Sequence, residues 1–186
     1  PSGQIDTAGF LASTLDVSNA EFLAGGDMNF TGDSNASIVN LGTINAIDGG
    51  DIFLLSRTIV NEGTLNAEGN VGLGAGSKIL LKADGDERIA ILPEGQSGSI
   101  SNQGVVEGAV AELKAAGGNQ YALAIKNDGM VRAKGFQKRG GKLYLSAGGG
   151  RVSNSGTLKA TERVEVKAPV VENTGTIDAS NEEGVG

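Results

Sequence analysis

The chain has 186 residues and a net charge of −7, and it contains 31 Gly but no His and no Cys. These absences exclude a Ser-His-Asp triad, His-ligated zinc, disulfides, thiolate nucleophiles and iron–sulfur clusters. The negative charge argues against a nucleic-acid partner, because phosphate binding needs a basic surface. Only 4% of the residues are aromatic, which predicts a narrow interior built from Val, Ile, Leu and Ala.

A five-position repeat organises the chain from residue 38 onward. An aliphatic residue, Asn, Gly, a second aliphatic residue and Ala follow one another at every second position, with Gly in place of Ala in one copy. The copies begin at Ile38, Ile59, Ile100, Ile125, Val152 and Val171. Successive Asn residues lie 21, 41, 25, 27 and 19 positions apart, and 41 is close to two periods. We therefore expect a degenerate copy in that gap, with Leu81 and Ala83 in the aliphatic and Ala positions.

Alternating segments lie between the copies and predict further strands. Residues 71–75, 143–147 and 164–168 each place an aliphatic or Ala residue at every second position. A period of two marks a strand with one buried face. A coil of about twenty residues cannot bury its aliphatic row alone, whereas stacked coils bury all the rows together. The pattern therefore predicts a single all-β domain over 1–186, a right-handed parallel β-helix of about eight coils.

The repeat assigns two sets of side chains to the interior as a structural ladder. We expect the Asn-x-Gly segments to form corners, since Asn tolerates left-handed backbone angles and Gly permits them freely. The predicted amide ladder comprises Asn40, Asn61, Asn102, Asn127, Asn154 and Asn173. The predicted aliphatic ladder comprises Ile44, Leu65, Val106, Val131, Leu158 and Ile177. Both sets are expected to serve packing and not ligand binding.

Two segments depart from the strand pattern. Apolar residues of the segment 107–119 fall at helical spacing ahead of Gly117 and Gly118, which predicts a short helix near 107–116. The polar segment 84–98 predicts a loop that leaves a corner of one coil.

Acidic residues supply an enzymatic alternative. Parallel β-helices include polysaccharide lyases and hydrolases, and hydrolysis needs two carboxylates on one face. The candidates are Asp48 with Asp51, and Asp84 with Asp86 and Glu87. No column of acids stacks across the repeat, so we favour solvated loop charge and expect no catalytic residue and no cofactor. The Asp84-Gly85-Asp86 spacing also lacks the further oxygen ligands of a calcium loop, so no metal is expected.

A column of threonines gives a second alternative, an ice-binding solenoid. Its members are Thr43, Thr64, Thr157 and Thr176. Ice-binding solenoids usually carry two Thr per strand, but the partner position here varies between Asn, Lys and Asp. We therefore favour the simpler interpretation that Thr is a good solvent-facing strand residue.

A cluster of cations stands out in this acidic chain. Its members are Lys134, Lys138, Arg139 and Lys142. With the neighbouring Phe136 and two glycines they predict a protruding corner loop. The functional interpretation is contact with an anionic glycan or lipid head group. A solvated loop is the favoured alternative.

The N-terminal part of the sequence resembles the secretion domain of filamentous-haemagglutinin-like exoproteins. The resemblance is carried by Gly9–Ser18, Phe22–Gly26, Ser34–Ala46 and Gly49–Leu55. Pro1-Ser2-Gly3 is similar to the end of the family's Asn-Pro-Asn-Gly motif, with Ser in the last Asn position. The resemblance covers about residues 1–80, the C-terminal part of such a domain, and residues 81–186 continue the β-helical repeats. We expect a fragment or processed product that lacks part of the surface recognised by the transporter.

The resemblance implies a function outside the cell. Members of the family are large exoproteins that a dedicated outer-membrane transporter exports by two-partner secretion, and their roles include adhesion, haemagglutination, biofilm formation and toxin delivery. We therefore expect a non-enzymatic structural or adhesive segment, secreted and held at the cell surface. The expected partners are that transporter, a surface glycan or protein, and a second rod bound end to end. No nucleic acid is expected.

Overall fold

The computed structural model describes residues 3–92, 97–136 and 140–180, in which one short helix and 22 strands form. The helix is α1 (Asn19–Ala24). The strands are β1 (Gln4–Thr7), β2 (Phe10–Ser13), β3 (Met28–Thr31), β4 (Ser37–Asn40), β5 (Thr43–Ala46), β6 (Ile52–Ser56), β7 (Thr58–Asn61), β8 (Thr64–Ala67), β9 (Asn70–Ala75), β10 (Lys78–Leu81), β11 (Ile89–Ile91), β12 (Ser99–Asn102), β13 (Val105–Gly108), β14 (Val110–Ala115), β15 (Leu123–Asn127), β16 (Met130–Ala133), β17 (Lys142–Ala147), β18 (Arg151–Asn154), β19 (Thr157–Ala160), β20 (Arg163–Lys167), β21 (Val170–Asn173) and β22 (Thr176–Asp178).

Most strands belong to three parallel sheets. Sheet I has the order β1-β5-β8-β13-β16-β19-β22, sheet II the order β2-β6-β9-β14-β17-β20, and sheet III the order β4-β7-β12-β15-β18-β21. From β4 onward the chain enters sheet III, then sheet I, then sheet II, and repeats this circuit. Each strand pairs in register with its equivalent in the next circuit, as when Ile59 lies opposite Ile100. The protein is therefore all-β with parallel sheets, an arrangement compatible with a β-helix or solenoid.

The interior between the sheets is filled by the alternating residues of the sequence pattern. Strands such as β8 alternate half-buried and buried positions, because successive side chains point to opposite faces. The buried residues of this inner core are Ile, Leu, Val and Ala, and among the described residues packed against it the one aromatic side chain is the partly buried Phe10. The scarcity of aromatic residues thus matches an interior too narrow to hold them.

The predicted helix near 107–116 is wrong. This segment forms the end of β13 and the whole of β14, which pairs in parallel with β9 and β17 over six residues each. Both faces of β14 are buried, the inner one in the core and the outer one under an adjoining segment. A strand buried on both faces loses the polar–apolar alternation, which is why its apolar spacing imitates a helix.

The expected degenerate repeat between Asn61 and Asn102 is also wrong. Strand β12 pairs directly with β7, so no coil lies between the two Asn residues. The extra residues leave the circuit after β9 and form β10 and β11, and Leu81 belongs to β10 and not to a parallel sheet. The predicted loop over 84–98 accordingly contains a strand, β11, although residues 93–96 lie outside the described part of the chain.

An antiparallel sheet lies on the outer face of sheet II. Its order is β11-β10-β3, and it is built from two segments that leave the circuit, one after β2 and one after β9. It encloses a second core with Phe30, Phe53, Leu55, Ile79 and Ile89 among its buried residues. A Cβ at Gly72 would stand 2.6 Å from the Ile89 side chain, so the outer face of β9 must be bare for the two layers to meet.

The short helix α1 was not predicted, although its capping signal is present in the sequence. The Ser18 hydroxyl accepts a hydrogen bond from the Glu21 backbone amide, which caps the start of the helix, and it donates to the Glu21 carboxylate. Gly25, with φ of 67°, ends the helix in the left-handed region.

The Asn-x-Gly corners owe their glycine to close contact and not to left-handed backbone angles. Neither the Asn nor the Gly of these corners has a positive φ. A Cβ at Gly63 would instead stand 2.0 Å from the carbonyl oxygen of Gly42 in the preceding circuit. The other corner glycines meet the same obstacle, so the corners form a column in which only Gly fits. The expectation of a left-handed corner is therefore corrected.

Candidate interaction surfaces

The six repeat Asn side chains form one continuous hydrogen-bonded row along the inside of sheet III. Each Nδ2 donates to the Oδ1 of the next Asn at 2.7–2.8 Å, from Asn40 through to Asn173. Asn61, Asn102 and Asn127 are fully buried, while Asn173 is exposed. Because every bond runs in the same direction, the row has an acceptor end and a donor end. Its side chains bind one another, which leaves no room for a ligand.

The aliphatic positions form a matching column in sheet I. Leu65, Val106, Val131 and Leu158 are 0% exposed, Ile44 is 7% exposed, and Ile177 on the outermost strand is 43% exposed. Register places these residues opposite one another from strand to strand. The buried side chains of this column therefore form one continuous part of the inner core.

Three of the acidic residues named as enzymatic candidates are paired with cations. Asp51 forms an ion pair with Arg88 and also accepts a hydrogen bond from the backbone N–H of Asn70 at 2.7 Å. Asp86 pairs with Lys142 at 2.9 Å, and Glu87 pairs with Lys114 at 2.6 Å. Asp48 stands in a tight turn with φ of 58°, and Asp84 lines a small surface pocket beside Asp51. Asp51 and Asp84 thus line one pocket, in which Arg88 neutralises Asp51.

A buried acid that sequence reasoning missed is Glu112, on the outer face of β14. Its side chain is 0% exposed, and it accepts hydrogen bonds from the backbone amides of Arg88 at 2.7 Å and Ile89 at 3.1 Å. Lys114 lies 3.2 Å away. Burial raises the pKa of Glu112, and these hydrogen bonds and the lysine only partly oppose that effect. Its position between the apolar Ala111 and Leu113, in a segment predicted to be a short helix, concealed this role.

The basic cluster does not form a free cationic patch among the described residues. Lys134 is paired with Glu107, and Lys142 is paired with Asp86 and with Glu162 at 3.4 Å. Hydrogen bonding to Asp86 raises the pKa of Lys142, so this ammonium stays charged but engaged. Lys138 and Arg139 lie outside the described residues.

The threonine column occupies the outer face of sheet I but is not continuous. Thr43 lies opposite Thr64, and Thr157 lies opposite Thr176. Val105 and Met130 stand between these two pairs in the same register. The neighbouring positions form polar contacts instead, such as the 2.7 Å hydrogen bond from Asn45 to Asp6. A regular lattice of hydroxyl groups is therefore absent from the described strands of this sheet.

A groove of about 610 Å³ lies where the antiparallel sheet ends over sheet II. One wall is strand β11, and the other is formed by the C-terminal ends of β14 and β17 with the small residues that follow them. Lys82, Glu87 and Lys114 stand at one end of the groove, and Gly118 and Leu92 also line it. No aromatic side chain is among the described residues that line it.

Comparison with known proteins does not extend these observations. No protein-family model matches the chain, and a search of curated proteins finds no match. Within the described ranges no group of three or more acidic side chains could hold a metal ion. The described residues also include no helix that is long and apolar enough to cross a membrane.

Proposed function

We propose that this chain is a right-handed parallel β-helix, with six to seven coils among the described residues instead of the expected eight, that serves as a structural and adhesive segment of a large secreted bacterial exoprotein. The observation that carries the proposal is the repeated circuit through sheets III, I and II, with the Asn row joining each circuit to the next. Stacked circuits of this kind build a rod. A rod suits the presentation of a binding surface to another cell better than it suits catalysis.

The resemblance to filamentous-haemagglutinin-like secretion domains supports the proposed location outside the cell. The segments that carry it fold as β2, α1 and the first circuit of β4, β5 and β6. On this proposal an outer-membrane transporter exports the parent protein by two-partner secretion, and the rod folds outside the cell. Folding that spreads from coil to coil needs neither ATP nor a metal, because each new coil pairs with the one already formed.

The polysaccharide-cleaving alternative is less well supported. Asp51, Asp86 and Glu87 are each engaged by a cation, whereas a hydrolase needs one carboxylic acid and one free carboxylate facing a common substrate. A screen for depolymerisation of acidic polysaccharides tests this point. We expect no turnover, and any turnover by the purified chain that is lost in Asp51→Asn would overturn the non-enzymatic proposal.

Adhesion is tested by coating fluorescent beads with the purified chain and counting their attachment to epithelial and bacterial cells. Attachment above that of albumin-coated beads is expected. Beads carrying the chain after thermal unfolding are the matched control, because they present the same composition without the sheets. Equal attachment by both preparations, or none by either, contradicts an adhesive role of the folded segment.

A further inference from the structure

The groove beside β11 has the form of a peptide-binding site, and this inference does not rest on export or adhesion. Strand β11 is the outer strand of the antiparallel sheet, with β10 on one side only. Two backbone hydrogen bonds show which groups of β11 face β10: Leu92 N donates to Lys78 O, and Lys82 N donates to Arg88 O. Alternate residues of an antiparallel strand face opposite ways. The backbone groups of Ile89 and Ile91 therefore face away from β10.

One part of this free edge is already satisfied by a side chain. The Ile89 amide donates to the Glu112 carboxylate at 3.1 Å. The Ile89 carbonyl, the Ile91 amide and the Ile91 carbonyl have no such partner among the described residues. Unpaired strand groups of this kind form a template for another strand.

The floor of the groove allows a main chain to come close. Ser146 lies on the outer face of β17, where the antiparallel sheet no longer covers sheet II, and Gly118, Gly148 and Gly149 follow the strand ends. Small residues leave space for a backbone, whereas sugar sites commonly stack sugar rings on aromatic side chains, and none is found among the described lining residues. The groove therefore favours an extended peptide over a saccharide.

Charge indicates how the peptide is oriented. Lys114 is engaged by Glu87 and Glu112, but Lys82 at the same end of the groove has no ion-pair partner among the described residues. An acidic residue of a bound peptide would meet that ammonium. We propose that the groove binds an extended peptide segment of another protein, which adds as a fourth strand beside β11 with an acidic residue next to Lys82.

The test uses a fluorescein-labelled peptide, Asp-Thr-Val-Ser-Val-Thr, with binding followed by fluorescence anisotropy and by the NMR shift of the Ile91 amide. We expect weak but saturable binding that moves the Ile91 resonance. The same peptide with alternate backbone nitrogens methylated should bind at least about tenfold more weakly, because its edge donors are blocked. Failure of the unmodified peptide to bind the folded protein at millimolar concentration overturns the proposal.

Two variants locate the binding. Gly148→Leu fills the groove without strain, because a Cβ there meets only the Ala116 carbonyl oxygen at 3.7 Å, and it should weaken binding about tenfold. Gly3→Leu is the matched control, since nothing lies within 4 Å of a Cβ at that position, and Gly3 lies against Thr43 of sheet I and does not line the groove. Equal affinities in the two variants would place the peptide elsewhere and overturn the proposal.

Charge reversal checks the orientation. Lys82→Glu should weaken binding of the Asp peptide, and a peptide with Lys in place of Asp should recover it. Binding that is insensitive to both changes contradicts the contact with Lys82. If a neutral oligosaccharide binds in a manner that Gly148→Leu abolishes while the peptide does not bind, the groove is a sugar site and the proposal is wrong.

Discussion

The inner core and the second core both bury apolar side chains between sheets, but they use different residue types. The inner core lies between three parallel sheets and contains only thin aliphatic side chains, repeated at equivalent positions from circuit to circuit. The second core lies between sheet II and the antiparallel sheet, and it holds the two deeply buried phenylalanines, Phe30 and Phe53. Repetition fixes the width of the first core, whereas the second has no repeat and can take whatever side chains fill it.

The two cores also differ in their expected cooperativity. In the inner core each layer contacts the layers above and below, so damage to one layer should spread along the stack. The second core joins one local segment to one face of the stack. Substitutions placed in only one of the two cores therefore test whether the antiparallel sheet unfolds independently of the parallel sheets.

The largest effect is expected for Leu158→Asp. Leu158 is 0% exposed in the inner core, and an unpaired carboxylate there should cost about 5 kcal/mol and abolish cooperative folding. Circular dichroism during thermal unfolding measures this loss. The neighbouring Thr157→Ser faces solvent and should change stability by less than about 0.5 kcal/mol. A Leu158→Asp variant that melts like the parent contradicts the inward register.

A smaller and local effect is expected for Phe53→Ala. Phe53 is buried in the second core, and its removal should cost about 3–4 kcal/mol through lost contacts and a cavity. Hydrogen exchange should show loss of protection in β3, β10 and β11, while β14 to β19 stay protected. Phe22→Ala is the control, because Phe22 on α1 is 61% exposed. Uniform loss of protection throughout the chain would show that the two cores unfold together.

Asn102→Asp tests the amide row of the inner core. The buried Asn102 donates to Asn127 at 2.7 Å, and a carboxylate would lose that donor and face an oxygen atom instead. We expect a loss of about 2–3 kcal/mol, measured by urea unfolding at neutral pH. Asn173→Asp at the exposed end of the row should cost clearly less, since water can replace its partner. Equal losses in the two variants would argue against burial as the cause.

The smallest effect concerns pH and the second core. Burial raises the pKa of Glu112, so its protonated form is favoured in the folded state. Its contribution to stability is therefore complete below the ordinary pKa of Glu and is lost as the pH rises through the raised value. Protection of the Ile89 amide should increase as the pH falls through this range. Glu112→Gln should remove that dependence, whereas an unchanged pH profile would assign it to other groups.

Sequence periodicity was sufficient for the sheets but not for what lies on them. The alternation of the repeat around Ile59, Asn61 and Leu65 indicates which face of each strand is buried. Strands β7 and β8 are predicted from this alternation. Strand β14 escaped prediction because its outer face is covered, which hides the period of two. The 41-residue interval likewise conceals an excursion, because spacing alone cannot distinguish an added circuit from a segment that leaves the stack.

The candidate sites were less predictable for a physical reason. Glu112 acquires its role from backbone amides donated by a segment more than twenty residues earlier, and no local pattern encodes that contact. The groove beside β11 likewise depends on where the antiparallel sheet ends over sheet II. In contrast, the Asn row was readable because its members recur at one position of a repeat.

The corner glycines divide the molecule into a side that tolerates new sequence and a side that does not. Between sheets III and I, two residues such as Glu62 and Gly63 make every connection, and the glycine backbones are in contact from circuit to circuit. Between sheets II and III, the connection varies from the single residue Arg57 to the long excursion after β9. Foreign peptides grafted for display should therefore be accepted at exposed connections such as residues 119–121 and rejected at the Asn-x-Gly corners.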